Sequence, residues 1–577
     1  MSGKVTRRGL LATVGTATAT ATLGEGAVGT VEATTETPES ETEADSDEEV
    51  PEKPVPRAVQ SGDVKSDRAI IWSRTDAPAR MYVEVATDEY FSDVRTVRGP
   101  AALSVTDYAA KLDLRGLPSG EEIHYRVVFE SLEHPAIRSD PVSGQFRTPA
   151  EGEQDVRFVW GGDVVGQGWG IDRDRGGMTI FEAMRELDPD LFIHSGDAVY
   201  ADGPLPETVE LDDGGVWNNV VTEAKSEVAD ALSEFRGNYR YNFIDDHYRN
   251  FLAEVPMIPQ WDDHEVTNNY YLGEMLPEDD PHDVESVNLL AARGQRAFVE
   301  YMPIRTQESG WNEHYDSFEY GSTMEVFRLD LRSYRGPNTA TRNEEESEAT
   351  AVLGEEQLAW LKESLAASEA TWKVIASDMP IGLVVTDGDY FEAIGNVDGE
   401  PVGREHEIAD LLSFLNEEDV RNVVWFTADV HYTAAHHYHP DRAQFTDFNP
   451  FREFVTGPLH AGTFGPSALD DTFGPEVAYE KSPPEGEANL PPSEGLQFFG
   501  QVDVAADSEE MTVTLRDRDG DELYSETLVP GAYGHADGGD DESDDEADAA
   551  TESEGEDDET ATETESDGEG PAHTAEG

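Results

Sequence analysis

The sequence predicts an α/β (α+β) architecture, a small all-β domain followed by a larger domain in which strands alternate with helices around an open sheet. Three observations support this. At 577 residues the chain is too long for one hydrophobic core, so two or more folded units are expected. Residues 54–148 hold short strand-like runs with turn signals, whereas from about residue 155 apolar runs alternate with stretches of helical period. Four polar clusters also stand where apolar runs stop: Gly161-Gly162-Asp163, Gly196-Asp197-Ala198-Val199-Tyr200, Trp261-Asp262-Asp263-His264-Glu265 and Ala428-Asp429-Val430-His431. Charged side chains just past a buried strand lie at a sheet's carboxyl edge, where open α/β sheets bind ligands.

The elements follow in order. Thr6-Arg7-Arg8-Gly9-Leu10-Leu11 opens a mildly apolar stretch with no acid before Glu25, and residues 1–33 resemble a twin-arginine export signal. Residues 34–53 form an acidic low-complexity linker. In 54–149, Ala69-Ile70-Ile71-Trp72 and Met81–Val85 are strand-like. Leu112-Asp113-Leu114, the turn Leu117-Pro118-Ser119-Gly120 and Tyr125–Val128 follow. With Trp72 early and Tyr125 just past the turn, this domain resembles a fibronectin type III-like β-sandwich, the two aromatics serving as core.

The larger domain, 150–532, has strands at Val156–Trp160, Leu191–His194, Val255–Trp261, Met324–Leu329, Trp372–Ala376 and Val423–Thr427. Helical stretches at Met178–Leu187, Leu289–Tyr301, Glu355–Ser368 and Glu405–Leu415 lie between them. Phe498–Leu528 reads as three antiparallel strands, with Asp517-Arg518-Asp519-Gly520-Asp521 as a hairpin turn rather than a calcium loop, because the twelfth-position glutamate and flanking helices are missing. Residues 533–577 are acidic, almost devoid of aliphatic residues and expected to be disordered.

Forty basic residues against 123 acidic ones give a net charge of −83, which disfavours nucleic acid and anionic membrane surfaces as partners. The acidity extends through the folded regions, and we read it as a surface suited to concentrated salt, where screening makes such repulsion tolerable. Cysteine is absent, so disulfides and thiolate ligands are excluded. No stretch beyond the export signal suggests a membrane anchor, and the mature protein is expected outside the cell.

At the strand ends, buried carboxylates without partners are costly to desolvate, and cations neutralise them. Tyr200 adds a phenolate, a selective ligand for ferric iron, and Asp429 and His431 share one face of an extended segment. Together the clusters suggest a two-metal hydrolytic centre.

The order Asp163, then Gly196-Asp197-x-x-Tyr200, then Asp262-Asp263-His264-Glu265, then Asp429-x-His431 resembles the calcineurin-like metallophosphoesterase superfamily. Within that superfamily it resembles the alkaline phosphatase D (PhoD-type) phosphatase/phosphodiesterases over roughly residues 54–530. Leu329–Arg335, the sandwich and the twin-arginine start also fit. The resemblance implies an αββα sandwich and a secreted phosphoric-ester hydrolase in which two cations activate water for in-line attack on phosphorus. It implies that Asp163, Tyr200 and His431 hold a first metal, with Asp197 bridging. Asp263, Asp378 and Asp429 join Asp197 at the second, Asp263 where the superfamily usually has a ligating asparagine and Asp378 and Asp429 where it often has histidines. Oxygen ligands there suit Ca2+, with Mn2+ or Mg2+ possible, while the first site suits Fe3+. His264 is the implied general acid or charge-stabilising residue. The family often has a cysteine ligand near the first motif, and Asp163 stands in that place.

Some positions have two readings. Asp378, in Ser377-Asp378-Met379-Pro380, is a ligand or part of a helix cap or turn. Arg332 and Arg335 clamp phosphate or pair with acids. His436, His437 and His439 line the mouth of the site or a surface loop, and Phe451–Pro458 with His460 is expected as a further site loop. Expected partners are phosphate-ester small molecules or phosphodiesters, plus the twin-arginine translocase during export. The runner-up functions are a diesterase acting on lipid or polymer phosphodiesters and a non-catalytic acidic calcium-binding surface protein.

Overall fold

The computed structural model describes residues 53–306, 314–339 and 345–531. The export signal, all but the last residue of the acidic linker, and the acidic tail lie outside the described residues.

Residues 58–147 form a β-sandwich. One layer holds Ala58–Lys65, Arg68–Arg74 and Ala109–Arg115; the other holds Arg95–Ala102, Ala79–Ala86, Glu122–Ser131 and Val142–Arg147, in that spatial order. Tyr125 is buried between the layers with Val83, Val127 and Phe146, as expected. Trp72 is equally buried, but in a different core. It stacks on Phe243 with ring centroids 5.2 Å apart and donates through Nε1 to the Glu300 carbonyl at 2.8 Å. The run Ala69–Trp72 lacks polar alternation because its strand is covered on both faces, with Ala69 and Ile71 facing the sandwich and Trp72 facing the larger domain.

The first sandwich layer continues into the larger domain as one nine-stranded sheet. The junction is a parallel pairing of Gly62 with Met257. A Cβ on Gly62 would lie 2.5 Å from the Met257 carbonyl oxygen, so this approach needs glycine. Beyond the junction come Met257–Gln260, Leu191–Ser195 and Val156–Gly161, mutually parallel, followed by the antiparallel strands Phe498–Val504, Met511–Asp517 and Glu522–Leu528. The Asp517 carboxylate accepts from the amides of Asp519 and Asp521, which closes the expected hairpin turn.

A second sheet of seven strands runs Asp316–Tyr320, Met324–Arg328, Trp372–Ala376, Val423–Thr427, Phe451–Val455, Thr433–Tyr438 and Pro475–Lys481. Its second to fifth strands are parallel. Phe158, Trp160 and Ile193 of the first sheet pack against Val326, Val374 and Phe426 of the second. Helices Ile180–Glu186, Leu232–Asn242, Asp246–Glu254 and Val287–Tyr301 cover the outer face of the first sheet, and Gly354–Ala367 and Glu405–Glu417 cover the second. The result is the four-layer αββα sandwich. Glu405–Glu417 shows why these segments are helical: Ile408, Leu411, Leu412 and Leu415 recur at helical spacing and are all buried, each worth about 1.5–3 kcal/mol.

Two expectations need correction. Phe451–Val455 is a central strand rather than a site loop, and only the residues after it form a loop. His436 and His437 lie in the Thr433–Tyr438 strand and face structural partners, the Glu453 carboxylate at 3.1 Å and the Glu526 carboxylate at 2.8 Å. His439 follows that strand and accepts from the Asp441 amide. Glu453 is fully buried and also receives the Tyr438 hydroxyl and the Ile381 amide, so its carboxylate is satisfied inside the sheet layer.

Candidate metal centre

The site forms where parallel strands of both sheets end. Asp163 follows Val156–Gly161, Asp197 follows Leu191–Ser195 and Asp263 follows Met257–Gln260. From the second sheet, Asp378 follows Trp372–Ala376, and Asp429 and His431 follow Val423–Thr427. The turns are sharp. Asp163, Asp197, Asp429 and His431 have φ of 67°, 50°, 68° and 61°, in the left-handed region that costs a non-glycine residue about 1–3 kcal/mol. Backbone hydrogen bonds between loops hold these conformations: the Val164 amide donates to the Asp197 carbonyl, the His460 amide to the Asp163 carbonyl and the Ala428 amide to the Asp378 carbonyl, each at 2.9 Å.

Among the described residues, three sets of side chains present ligand atoms within 4.8 Å of one another: Asp163, Asp197 and His431; Asp197, Asp263 and His264; and Asp262, Asp263 and Asp429. Asp197 belongs to the first two sets and Asp263 to the last two, so the sets form one chain of donors. The Tyr200 hydroxyl joins the first, 2.8 Å from His431 Nε2 and 3.4 Å from an Asp163 oxygen. His431 Nδ1 faces the Gly462 carbonyl, which accepts but cannot donate, so the proton sits on Nδ1 and the Nε2 lone pair points into the site. His264 stacks on the Tyr200 ring with centroids 4.1 Å apart, and its Nδ1 is bound by both Asp202 oxygens at 2.8 and 2.9 Å.

The charges explain what this arrangement lacks. Burial, reinforced by neighbouring carboxylates, holds the carboxyls of Asp163, Asp197 and Asp429 well above the usual range. Burial also raises Asp263, but His264 and Arg332 outweigh it and bring this carboxyl down to about 2. Burial would lower His264, yet Asp202 and Asp263 lift it to about 9. His431 is pushed down to about 4, chiefly by burial, and is neutral at ordinary pH. Asp163 Oδ2 and Asp263 Oδ1 are buried without a hydrogen-bond partner. A cluster so short of positive charge, with oxygens left unbonded, fits bound cations.

Asp378 is buried but joins none of the three sets; its carboxylate lies 3.6 Å from Arg332. The arginines pair with acids. Arg332 is fully buried, bonded to Asp262 and, at 2.6 Å, to Glu392, which also binds Arg335 at 2.7 Å. Sequence reasoning had assigned no role to Asp262, Asp202 or Glu265. Glu265 receives the amides of Ala198 at 2.6 Å and Asp262 at 2.7 Å, tying two site loops together. Asp262 and Glu265 were visible inside the quoted cluster, but nothing local marks Asp202 as the partner of His264.

Residues 158–515, more than half of the chain, match the profile of the family described as PhoD-like phosphatase, and residues 40–150 match the PhoD-like phosphatase N-terminal domain. The chain belongs to the PhoD-like phosphatase family. It is thereby a phosphatase. It is 26% identical to alkaline phosphatase D of Bacillus subtilis (strain 168) over 442 residues, covering 73% of this chain and 71% of that protein. Among solved structures, one described as the structure of PhoD superposes with a TM-score of 0.60 at 21% identity, covering 82% of this chain and 93% of that one. A purple acid phosphatase, PPD1 from yellow lupin (Lupinus luteus) seeds, superposes with a TM-score of 0.51 at 13% identity, covering 82% and 74%. These two structures share the fold of the PhoD-like chain. Among the described residues, no helix is long and apolar enough to cross a membrane.

Proposed function

We propose that this PhoD-like phosphatase is an exported hydrolase of phosphoric monoesters, with capacity for diesters, that works with two cations at the strand-end centre. The observation that carries the reading is the chain of donor sets sharing Asp197 and Asp263, with the Tyr200 hydroxyl beside the first set. Asp163, Tyr200 and His431 would hold the first cation and Asp197 would bridge. Asp263 and Asp429, with Asp262, would hold the second, and Asp378 would act behind them. The imidazole and phenolate favour Fe3+ at the first position; the all-oxygen set favours Ca2+, with Mn2+ or Mg2+ acceptable. Bound cations supply a water made nucleophilic near neutral pH and charge stabilisation at phosphorus.

The chain's own residues do the rest. The Nδ1 contact with Asp202 orients His264 and favours its protonated form, so Nε2 can give a proton to the leaving oxygen, a contribution of about 10²–10⁴-fold. Tyr200 backs the imidazole with its ring and limits its rotation. We assign residues 150–532 to catalysis and 54–149 to a supporting role, with 1–33 serving export through the twin-arginine translocase to the outside of the cell.

The test is Asp197→Asn. Hydrolysis of p-nitrophenyl phosphate should be abolished while the far-ultraviolet circular dichroism stays that of the wild type. Elemental analysis of natively exported protein should find two cations per chain, and a visible tyrosinate-to-iron band should disappear in Tyr200→Phe. Turnover unchanged by Asp197→Asn would refute the bridging role.

A further inference from the structure

Arg332 has no exposed surface, yet five carboxylates surround it: Asp262, Glu392, Asp378, Asp429 and Asp263. Its three nitrogens are not used alike. Nε is bonded to Asp262, and Nη1 donates to Glu392 at 2.6 Å. Nη2 is buried without a hydrogen bond, 3.6 Å from Asp429 and 3.9 Å from Asp263, close enough for charge attraction but beyond bonding distance. Asp263 Oδ1, on the other side of that gap, is likewise without a partner. Two arms of the planar fork are therefore fixed, and the third faces Asp429 and Asp263, which share a donor set with Asp262, at long range. Glu392 is itself held by Arg335 at 2.7 Å, so the guanidinium has an anchor outside the donor set.

We propose that Arg332 is a resident cation of the Asp262, Asp263 and Asp429 set, competing with the bound metal ion for these three carboxylates. It keeps these carboxylates assembled when the metal is absent and weakens metal affinity when it is present. Like charges at this spacing would otherwise repel strongly in a buried site. The first donor set, Asp163, Asp197 and His431, has no such arginine contact among the described residues, so the second cation is the more readily exchanged. This inference rests on the reading that a second cation binds at Asp263 and Asp429.

The experiment uses the full chain, purified in excess calcium at constant high sodium chloride. Thermal unfolding is followed across a chelator-buffered calcium series for the wild type, Arg332→Met and Arg332→Lys. Removing the charge while keeping the bulk should lower the melting temperature of the calcium-free protein. It should also shift the half-maximal calcium response to lower free calcium by roughly 5- to 150-fold, the usual range for coupled sites. Arg332→Lys, which keeps the charge, should stay near the wild-type midpoint. If Arg332→Met folds only in calcium, its midpoint is still read by titrating chelator into the loaded protein, and that result supports the proposal. A midpoint in Arg332→Met equal to or weaker than that of the wild type overturns it, as does equal destabilisation with and without calcium. A wild type whose melting temperature ignores calcium and manganese alike sinks the second-cation reading, and the role of Arg332 falls with it.

Discussion

Gly457→Ala should disable the centre with little damage to the fold. Gly457 begins the loop after the Phe451–Val455 strand, and a Cβ placed on it would lie 2.3 Å from Asp163 Oδ2 and 3.9 Å from the Ala428 Cβ. The first distance falls about 1 Å short of an ordinary non-bonded contact. Asp163 has little room to retreat. Its φ is 67°, its carbonyl receives the His460 amide at 2.9 Å, and its other oxygen lies 3.3 Å from His431 Nε2 and 3.4 Å from the Tyr200 hydroxyl. Displacing a reacting group by about 1 Å costs about 10²-fold in rate, and overpacking costs about 1–3 kcal/mol in stability. The assay is kcat/KM on p-nitrophenyl phosphate, with iron content and melting temperature measured on the same preparation. Gly152→Ala, where a Cβ meets nothing within 4 Å, is the silent control. A Gly457→Ala protein with wild-type turnover and full iron would refute the placement of Asp163 in the centre.

Asp202→Asn removes the carboxylate that, with Asp263, outweighs burial to hold His264 up at about 9, so the alkaline limb of the kcat profile should move to lower pH and kcat should fall by up to about 10²–10⁴-fold; an unmoved limb would exclude His264 as the acid. Glu526 is raised by burial but brought down to about 2 by His437 and Arg452. Its pairing therefore stabilises the fold above the ordinary glutamate range, and that stability is lost as pH falls from about 4.5 towards 2. After solvent screening the effect is on the order of 1 kcal/mol, and melting curves of Glu526→Gln against pH should lack it. With a net charge of −83, dialysis from molar sodium chloride into dilute buffer should lower the melting temperature and inactivate the enzyme, whereas full activity in dilute buffer would count against a salt-adapted surface.

The strand-end carboxylates were legible because two local signals coincide there, an apolar run that must be buried and an acid directly after it. The pairings around them were not legible, since Asp202 reaches His264 across 62 positions of chain and Arg332 reaches Asp262 across 70. Periodicity could place Trp72 in a core but could not say which one, because a strand covered on both faces shows the same apolar run either way. Phe451–Val455 and Thr433–Tyr438 were missed as strands for the opposite reason. Glu453 and His436 make them look solvated, and only the three-dimensional pairing of these residues with each other and with Tyr438 lowers the penalty of burying them.

The same contrast separates structure from chemistry in this chain. Glu453, buried for the fold, is satisfied by His436, Tyr438 and the Ile381 amide. At the strand ends, oxygens of Asp163 and Asp263 remain unbonded, and Asp163, Asp197, Asp429 and His431 sit in backbone conformations that local preference disfavours. Strain and unmet charge persist together there in loops held by backbone hydrogen bonds, and a ring of carboxylates in that state fits a bound cation.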